Sequence, residues 1–559
     1  MTIIDSGHSL SAQGVAADTP VQGGGYGPPR SSYCYLFENL ANKENDTNES
    51  AGIFPGSSPE NTLARLKDFE AVYRGLDFPL PPRMGLPPVY TYFGQFLNHD
   101  ISAPVGGLVA EAADIAPAAI MGESLGNPPG LDKQTRATSI GLILERILNE
   151  HGAPLTLDSL YADGPKSQDT EVRSLYRADG MRFALARAVR VDDVTIKELF
   201  KTAGAVFHPA GGAPDLQRKV GKPLIADRRN DENLILSQLH LAFMLLHNKA
   251  VDALHPQISD PAQCFKAARL LITHHYQWCV VNDYLKQLLT AEVLEDVLRK
   301  PSRLGAANAV PMEFTVAAFR FGHSMVSSTY DFNANFGIGG ALRSHALLQE
   351  LFVFTSRGGM LPFADVTQLP DHWVADWDRL TRPVDSDQNH AMRNADQPDF
   401  AADSIDMNFA VDMLNGMTHG ATIEHASIFY RNLIRGFHRR MPFGQDLARA
   451  YDLFPLTCAE VQSALPAELC DTVAGEHFDT HTPAWLYFLC EAQVKTGGKR
   501  LGPAASYIIA DTIIGLLKHN ENSVLGVNHA GWHPNQSILK TAAGQPLDSI
   551  RALLMFATA

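Results

Sequence analysis

A histidine with polar neighbours at helical spacing is the first candidate for chemistry. It lies in the run GQFLNHD, residues 94–100, where Gln95 and His99 stand four residues apart and Asp100 follows. On an α-helix, residues four apart share a face, whereas adjacent residues point about 100° apart. Such a helix offers Gln95 and His99 to one pocket and the Asp100 carboxylate to whatever lies behind it. Taken alone, the pattern also fits a helix whose histidine is hydrogen-bonded in a core.

A second histidine stands in an apolar stretch directly after a glycine. This is His323 in the run AFRFGH, residues 318–323. Because Gly322 has no side chain, a planar group can approach the helix closely at this point. Axial ligation of a haem iron is one use of such a histidine. A buried histidine with ordinary hydrogen bonds explains the run equally well.

Two further polar runs could support such sites. In ADRRNDEN, residues 226–233, Arg229 and Glu232 are three apart at the start of a predicted helix. Charge runs of this kind are usually solvated faces or intrahelical pairs. In RNLIRG, residues 431–436, the amide of Asn432 could hold the ring N–H of a metal-bound imidazole. It could instead satisfy backbone groups at a helix end.

The elements that must position these residues are mostly helical. Residues 1–85 are rich in Gly, Pro, Ser and Asn, and this predicts an extended N-terminal arm with one helix at Asn61–Tyr73. Residues 86–559 show apolar residues at three- and four-residue spacing, which predicts a single mainly α-helical domain. The predicted helices are Tyr90–Asp100, Asp231–Leu254, Ala262–Leu289, Glu313–Ser327, Arg343–Phe354, Ile405–Leu414, Ile423–Gly436, Pro483–Val494, Ser506–Leu517 and Leu547–Phe556.

The composition is that of a soluble globular protein. The chain has 559 residues, of which 45% are hydrophobic and 19% charged, with a formal net charge of −15. This acidity disfavours nucleic acid or an anionic membrane as a partner. Six cysteines without a paired spacing predict neither a disulfide scaffold nor a zinc site and favour a reducing compartment.

Targeting signals are not evident in the sequence. The first residues lack the basic start and apolar run of a signal peptide, and no stretch of about 18 uncharged apolar residues predicts a transmembrane helix. We therefore expect a cytoplasmic protein, or one secreted without an N-terminal signal. The oligomeric state is not indicated.

The four polar runs are more informative together than separately, because they occur in a particular order. GQFLNHD, ADRRNDEN, AFRFGH and RNLIRG, the last followed by MPFGQ, together resemble the motifs of animal-type haem peroxidases, the peroxidase–cyclooxygenase superfamily. The likeness is greatest to its bacterial members, and the phrases LHLAFMLLHN, GKRLGP and GQDLARA add to it. It extends over roughly residues 80–556. The resemblance implies one large helical domain that holds a haem between a distal and a proximal helix.

The resemblance also assigns roles to the residues. It implies that His323 is the proximal ligand of the haem iron, with Asn432 as its hydrogen-bond partner, and that His99 is the distal base. Arg229 would stabilise the charge that develops as the O–O bond of peroxide breaks, and Gln95 would line the distal pocket. Haem binding would further involve the following residues: Glu232, Arg320 and Arg435.

Four positions depart from the family pattern or test it. Where members with covalent haem carry an Asp before the distal histidine, this chain has Asn98, so that ester is not expected. Glu232 keeps the second ester position, which leaves one covalent link open. Asn233 stands where one member has a sulfonium-forming Met, and this excludes that bond. Arg320 occupies the place of the radical-forming Tyr of cyclooxygenases and fatty-acid dioxygenases, which disfavours lipid oxygenation by that route.

The calcium site implied by the resemblance is reduced here. Asp100 is present, and the loop 152–162 carries Thr156 and Asp158 as its remaining oxygen ligands. Calcium prefers six to eight oxygens with several charges. The alternatives of a weak site and a lost site therefore stay open.

These implications lead to one main functional hypothesis. The chain is expected to be a haem b peroxidase that reduces hydrogen peroxide and oxidises small donors, either halide or pseudohalide ions or phenolic compounds, in a response to oxidative stress. A fatty-acid dioxygenase on the same fold and a non-catalytic haem-binding protein are the alternatives. Retention of His99, Arg229 and His323 together argues against the latter, since a binder needs only the ligand.

Overall fold

Helices dominate the computed structural model, which describes thirteen stretches of the chain. These are residues 31–42, 51–76, 85–103, 139–146, 149, 155–190, 212–219, 222–305, 309–355, 368–383, 401–415, 427–470 and 477–559. The α-helices among them are Glu38–Ala41, Pro59–Arg74, Val89–Ile101, Ile140–Arg146, Asp158–Tyr161, Thr170–Ser174, Leu234–Leu254, Pro261–Cys279, Leu285–Leu288, Ala291–Arg299, Trp377–Leu380, Val411–Asn415, Ile428–His438, Gly444–Ala450, Cys458–Ser463, Ala484–Thr496, Pro503–His519 and Ile550–Thr558. The fold is mainly α, as the sequence predicts.

Several helical segments are wound more tightly or more loosely than an α-helix. The 3₁₀ segments are Arg228–Asp231, Ala318–His323, Leu348–Phe352, Asp371–Trp373 and Pro534–Gln536, and the π-helical segments are Val280–Tyr284 and Glu313–Ala317. Non-α winding inside a longer helix often marks a functional position. The segment 313–323, here named the His323 segment, changes from π to 3₁₀ winding at Ala318.

Strands occur only as short pairs in the described part of the chain. Ser32–Cys34 runs parallel to Ala309–Pro311, while the antiparallel pairs are Ala186–Arg187 with Pro214–Asp215, Arg218–Lys219 with Lys222–Pro223, and Thr329–Tyr330 with Ala346–Leu347. The buried Glu313 carboxylate accepts the backbone N–H groups of Leu36 and Phe37, both at 3.0 Å. Part of the predicted arm is thereby fixed to the start of the His323 segment.

The predicted helix of the arm also packs on the domain. Asn61–Tyr73 is confirmed as the helix Pro59–Arg74, which Ser58 caps by accepting the N–H of Asn61. The Tyr73 ring stacks on Phe429 with centroids 4.1 Å apart. The division of the chain into an arm and a domain stays a prediction.

The helix Leu234–Leu254, here named the long helix, lies at the centre of the fold. Asn233 caps it by accepting the N–H of Leu236 at 2.9 Å. By length and composition it is the one helix in the described residues that could cross a membrane, and 89% of its apolar window is buried inside the fold. A buried core helix passes the same test, so this helix does not indicate a transmembrane segment.

Most predicted helices are confirmed, and two are wrong. Arg343–Phe354 is instead a strand at Ala346–Leu347 followed by a 3₁₀ segment, because the strand pairs with Thr329–Tyr330 and the Glu350 carboxylate accepts the Leu347 N–H at 2.8 Å. Ile405–Leu414 is irregular backbone with bends up to residue 410, and the helix there is Val411–Asn415. The N–H of Ile405 donates to the Gly498 carbonyl at 2.8 Å, and this contact with a distant part of the chain ties the segment in a non-helical course.

Candidate active site

The two histidines of the sequence motifs lie on elements that contact each other. His99 belongs to the helix Val89–Ile101, here named the His99 helix, and this helix packs against the 3₁₀ part of the His323 segment. Between them is a cavity of about 30 Å³, lined on one side by Gln95 and Asn98 and on the other by Gly322 and His323. The runs 94–100 and 318–323 therefore meet at one cavity, although His99, which the sequence predicts to share a pocket with Gln95, is not among the lining residues.

The ring of His99 is held in one tautomer. Its Nδ1 lies 2.9 Å from the amide oxygen of Asn230. Since an amide oxygen only accepts hydrogen bonds, Nδ1 carries the proton and Nε2 of the neutral ring has the lone pair. His99 is completely buried and does not itself line the cavity, whose wall on this helix is formed one turn earlier by Gln95.

Asn230 also holds a second buried histidine. Its amide nitrogen lies 3.0 Å from Nδ1 of His240, on the first turns of the long helix. Burial lowers the pKa of His240 to about 4, so this ring is neutral and accepts the amide hydrogen. With one amide group bonded to two rings, the orientation of His99 depends on the position of the long helix.

Arg229 clamps the end of the His99 helix. Its guanidinium donates to both carboxylate oxygens of Asp227, with the closest contact at 2.5 Å, and to the backbone carbonyls of His99 at 2.9 Å and Ser102 at 2.8 Å. The arginine side chain is fully buried and that of Asp227 is 4% exposed. The carbonyls at a helix C-terminus lack intrahelical partners and carry partial negative charge, which a cation satisfies. These contacts fix the backbone that carries His99.

Glu232, Gln95 and Asn233 form a buried polar chain beside the cavity. The amide nitrogen of Gln95 donates to Glu232 Oε2, and the amide nitrogen of Asn233 donates to Gln95 Oε1, both at 3.0 Å. Glu232 is completely buried. Gln95 thereby brings the candidate ester residue Glu232 next to the cavity wall.

His323 has the partner that the sequence motifs predict. The side-chain amide of Asn432, on the helix Ile428–His438, lies 3.0 Å from Nδ1 of His323. The amide nitrogen is the atom that faces Nδ1 and donates to it, which puts the proton of a neutral ring on Nε2. A metal-bound Nε2 needs the amide turned by 180°, so that its oxygen accepts the Nδ1 proton. Asn432 is completely buried and His323 is 3% exposed.

Of the two arginines assigned to haem binding, Arg320 lies beside His323 at the cavity. Arg320 lines the cavity, its Nε donates to the Thr315 carbonyl at 2.8 Å, and its own carbonyl accepts the indole N–H of Trp485 at 3.3 Å. Arg435 is 8% exposed and lies one turn after Asn432 on the same helix. Their part in haem binding remains a prediction.

The donor set fits a haem iron. Axial ligation requires a buried histidine with an amide at its Nδ1, which His323 and Asn432 provide once the amide is turned, and His99 lies on the facing helix one turn after the cavity-lining Gln95. At Gly322 an added Cβ would meet nothing within 4 Å, so the backbone is accessible to a planar group there. The haem ring is larger than this cavity. Its insertion therefore needs the His99 helix and the His323 segment to separate.

The oxygens predicted for calcium are bonded to other groups. The Asp100 carboxylate accepts the N–H of Leu157 at 3.1 Å and the N–H and hydroxyl of Ser159 at 3.4 and 3.3 Å. Asp158 accepts the Thr156 hydroxyl at 2.8 Å.

A guanidinium completes this loop in place of further acidic ligands. Arg269, on the helix Pro261–Cys279, donates to Asp158 at 2.8 Å. Within the described residues no group of three or more His, Cys, Asp or Glu side chains could hold a metal ion. Residues 152–154 of the predicted loop lie outside the described residues, and a calcium site at Thr156, Asp158 and Asp100 stays a prediction.

Sequence reasoning missed three residues that shape the site. Asn230 and Asp227 stand in the same run as Arg229, but a charge run alone does not reveal which member contacts the histidine helix. Tyr284 lines the cavity beside Gly94, where an added Cβ would lie 2.2 Å from the tyrosine hydroxyl. The glycine that opens the GQFLNHD run was the available signal for this close approach.

Comparison with protein families identifies the central part of the chain. A family model described as animal haem peroxidase matches residues 201–360, which include Arg229, Glu232 and His323. A peroxidase-like protein of Margaritifera margaritifera is 29% identical over 135 residues, or 22% of this chain and 17% of the length of that protein. The chain thus spans a small part of this curated relative.

Solved structures share the fold over nearly the whole chain. Peroxidase A from Dictyostelium discoideum aligns with a TM-score of 0.54 and 15% identity over 97% of this chain and 98% of its own. A fatty acid alpha-dioxygenase from Oryza sativa aligns with a TM-score of 0.52 and 13% identity over 95% of this chain and 86% of its own. These comparisons support a place in the peroxidase–cyclooxygenase superfamily. The solved structures show a fold that a peroxidase and a dioxygenase share, and the family match covers residues 201–360.

Proposed function

We propose that this protein is a haem b peroxidase that reduces hydrogen peroxide and oxidises small-molecule donors. The observation that carries this proposal is the pair of histidines on facing elements, each held at Nδ1 by an asparagine amide. One asparagine holds the ring of a base and the other that of a metal ligand. A protein that only binds haem needs the second of these arrangements and not the first.

In this proposal His323 Nε2 holds the haem iron, and Asn432 orients the ring. Haem supplies the iron at which peroxide binds and is reduced. Arg320, three residues before His323, and Arg435, one turn after Asn432, are the other proposed cofactor-binding residues. No step of the proposal requires calcium.

His99 acts as the distal general base. Its Nε2 takes the proton from hydrogen peroxide and returns it to the departing oxygen, since Nδ1 is already protonated toward Asn230. General acid–base catalysis of this kind contributes about 10²–10⁴-fold. Arg229 keeps the carbonyl of His99 in place and so acts here as a positioning residue. Stabilisation by Arg229 of the charge that develops as the O–O bond breaks, which the resemblance implies, remains part of the proposal.

Glu232 is the candidate for one ester link to haem. Its carboxylate is held by Gln95 at the cavity wall, whereas Asn98 and Asn233 have no carboxylate to offer. Acid–butanone extraction distinguishes the outcomes, because an ester-linked haem stays with the protein. Glu232→Gln should then release the haem during extraction. Gln95→Glu, which changes the other side chain of the hydrogen-bonded pair, is the matched variant.

A fatty-acid dioxygenase is the second candidate, because an alpha-dioxygenase aligns along most of this chain. Against it stands Arg320, three residues before His323, where the radical-forming tyrosine of that class is expected. Oxygen uptake with palmitate as substrate discriminates between the two. A peroxidase consumes hydrogen peroxide and the donor, and it consumes no oxygen when palmitate is added.

The direct test is peroxide cleavage by the haem-loaded protein. The wild type should show a Soret band and a rapid change in that band on mixing with hydrogen peroxide, and His99→Ala should slow the change by about 10²–10⁴-fold. His255→Ala, on a partly exposed histidine at the end of the long helix, is the matched control. Equal rates for His99→Ala and the wild type would refute the assigned role.

A further inference from the structure

A pair of stacked tyrosines leads from the cavity toward the surface. Tyr284 lines the cavity, and its ring stacks on Tyr90 with centroids 6.4 Å apart and planes 14° from parallel. Tyr284 is 2% exposed, whereas Tyr90 is partly exposed. The two rings therefore form a short aromatic path with one end inside and the other at solvent.

The position of Tyr284 is built into the backbone. It ends the π-helical segment Val280–Tyr284, whose winding shifts the side chain relative to a regular helix. Its hydroxyl packs on Gly94, where any larger residue would collide. The π-helical winding at Tyr284 and the glycine at position 94 thus both allow the same contact between the two helices.

Tyr90 has a proton acceptor. Its hydroxyl donates a short hydrogen bond to Asp283 Oδ1, and Asp283 Oδ2 accepts the backbone N–H of Ile550 at 2.8 Å. Burial raises the pKa of Asp283 above its usual range, so this carboxylate holds a proton more readily than an exposed one. A phenol that loses an electron becomes strongly acidic, and here its proton has a place to go.

We propose that Tyr90 is a surface site at which donors too large for the cavity are oxidised, with Tyr284 as the connection to the haem. This rests on the proposed peroxidase function, which supplies the oxidant, a haem centre oxidised by hydrogen peroxide. One electron passes from the Tyr90 phenol across the Tyr284 ring to the haem, and the phenolic proton moves to Asp283. A bulky phenol then returns a hydrogen atom to the Tyr90 oxygen, and Asp283 releases its proton.

The first test is electron paramagnetic resonance of the haem-loaded protein frozen after mixing with peroxide. The wild type should give a tyrosyl signal that Tyr90→Phe abolishes and Tyr284→Phe strongly reduces. Tyr92→Phe is the matched control, because Tyr92 is two residues away on the same helix, fully buried and bonded to Tyr330 at 2.7 Å outside this path. It should keep the signal. A nitroso spin trap should label Tyr90 in the wild type, as mapped by mass spectrometry.

The second test compares tyramine coupled to a large dextran with free tyramine as donor. Tyr90→Phe should lower the ratio of turnover with the dextran conjugate to turnover with free tyramine at least tenfold, and Tyr92→Phe should leave the ratio unchanged. If the Soret band responds to peroxide but Tyr90→Phe keeps the wild-type signal and ratio, this inference is wrong. If peroxide leaves the Soret band of the wild type unchanged, the proposed function fails and this inference fails with it.

Discussion

The His99 side and the His323 side of the cavity are built in different ways. On the His99 side a regular α-helix is fixed from outside by buried polar groups, with Asn230 on the ring and Arg229 on the backbone. On the His323 side the segment itself is irregular, with π and then 3₁₀ winding, and one amide from Asn432 holds the ring. In the proposed function His99 is the base, and a base needs its proton on a defined nitrogen. The polar network is found on the side of the cavity where the proposal places proton transfer.

The largest expected effect is on stability at Arg229. Arg229→Ala leaves the Asp227 carboxylate buried without its charge partner, which typically costs about 3–5 kcal/mol in the free energy of unfolding. Urea denaturation measures this. The control is Arg228→Ala, whose side chain pairs with Glu171 at the surface and should cost less than about 1 kcal/mol. Similar losses for the two variants would contradict the structural role of Arg229.

The two asparagines provide the second comparison. Asn230→Ala removes hydrogen bonds to two buried rings, His99 and His240, whereas Asn432→Ala removes one, to His323. At about 1–3 kcal/mol for each buried group deprived of its partner, Asn230→Ala should destabilise about twice as much in urea denaturation. The exposed Asn528→Ala should change stability by less than about 0.5 kcal/mol. A larger loss for Asn432→Ala would reverse the comparison.

The two sides should also differ in pH dependence. Burial lowers the pKa of His240 from 6.5 to about 4. Its contribution to the free energy of unfolding is therefore present above pH 6.5 and falls as the pH drops toward 4. Burial raises the pKa of Glu491, which accepts the N–H of Ala504 behind the His323 segment, to about 8 from 4.5. The contribution of Glu491 to the free energy of unfolding is present below pH 4.5 and is lost as the pH rises through 8.

Unfolding free energies measured between pH 5 and 8 test this difference. When the pH is lowered to 5, His240→Gln should lose about 2 kcal/mol less unfolding free energy than the wild type. When the pH is raised to 8, Glu491→Gln should show a similar reduction in the loss. Glu460→Gln, on a surface carboxylate, is the control for the glutamate. Unchanged pH profiles in both variants would show that neither buried group titrates as described.

The smallest effect is expected at the predicted calcium loop. Because Arg269 donates to Asp158 and Asp100 is bonded to residues 157–159, we expect no change in melting temperature between excess calcium and a chelator. Arg269→Met removes the guanidinium without adding charge and should lower stability by about 1 kcal/mol. Calcium-dependent melting of the wild type would mean that the loop rearranges to bind the ion.

The sequence predicted the parts of the site that depend on local pattern. Residues 94–100 form the expected helix, and Asn432 meets His323 as the motifs imply, because both follow from spacing or family likeness. The winding of residues 313–323 could not be predicted, since apolar spacing does not distinguish a π or 3₁₀ segment from an α-helix over so few residues. The Arg269 contact joins positions far apart in the chain, and only the fold reveals it.

Axial ligation by His323 is the central claim, and imidazole rescue tests it most directly. The haem-loaded wild type should show a histidine-ligated iron by resonance Raman and absorption spectroscopy. His323→Gly should lose that signature, and added imidazole should restore it. A His323→Gly variant that keeps the wild-type spectrum without imidazole would contradict the account, because another residue would then hold the iron.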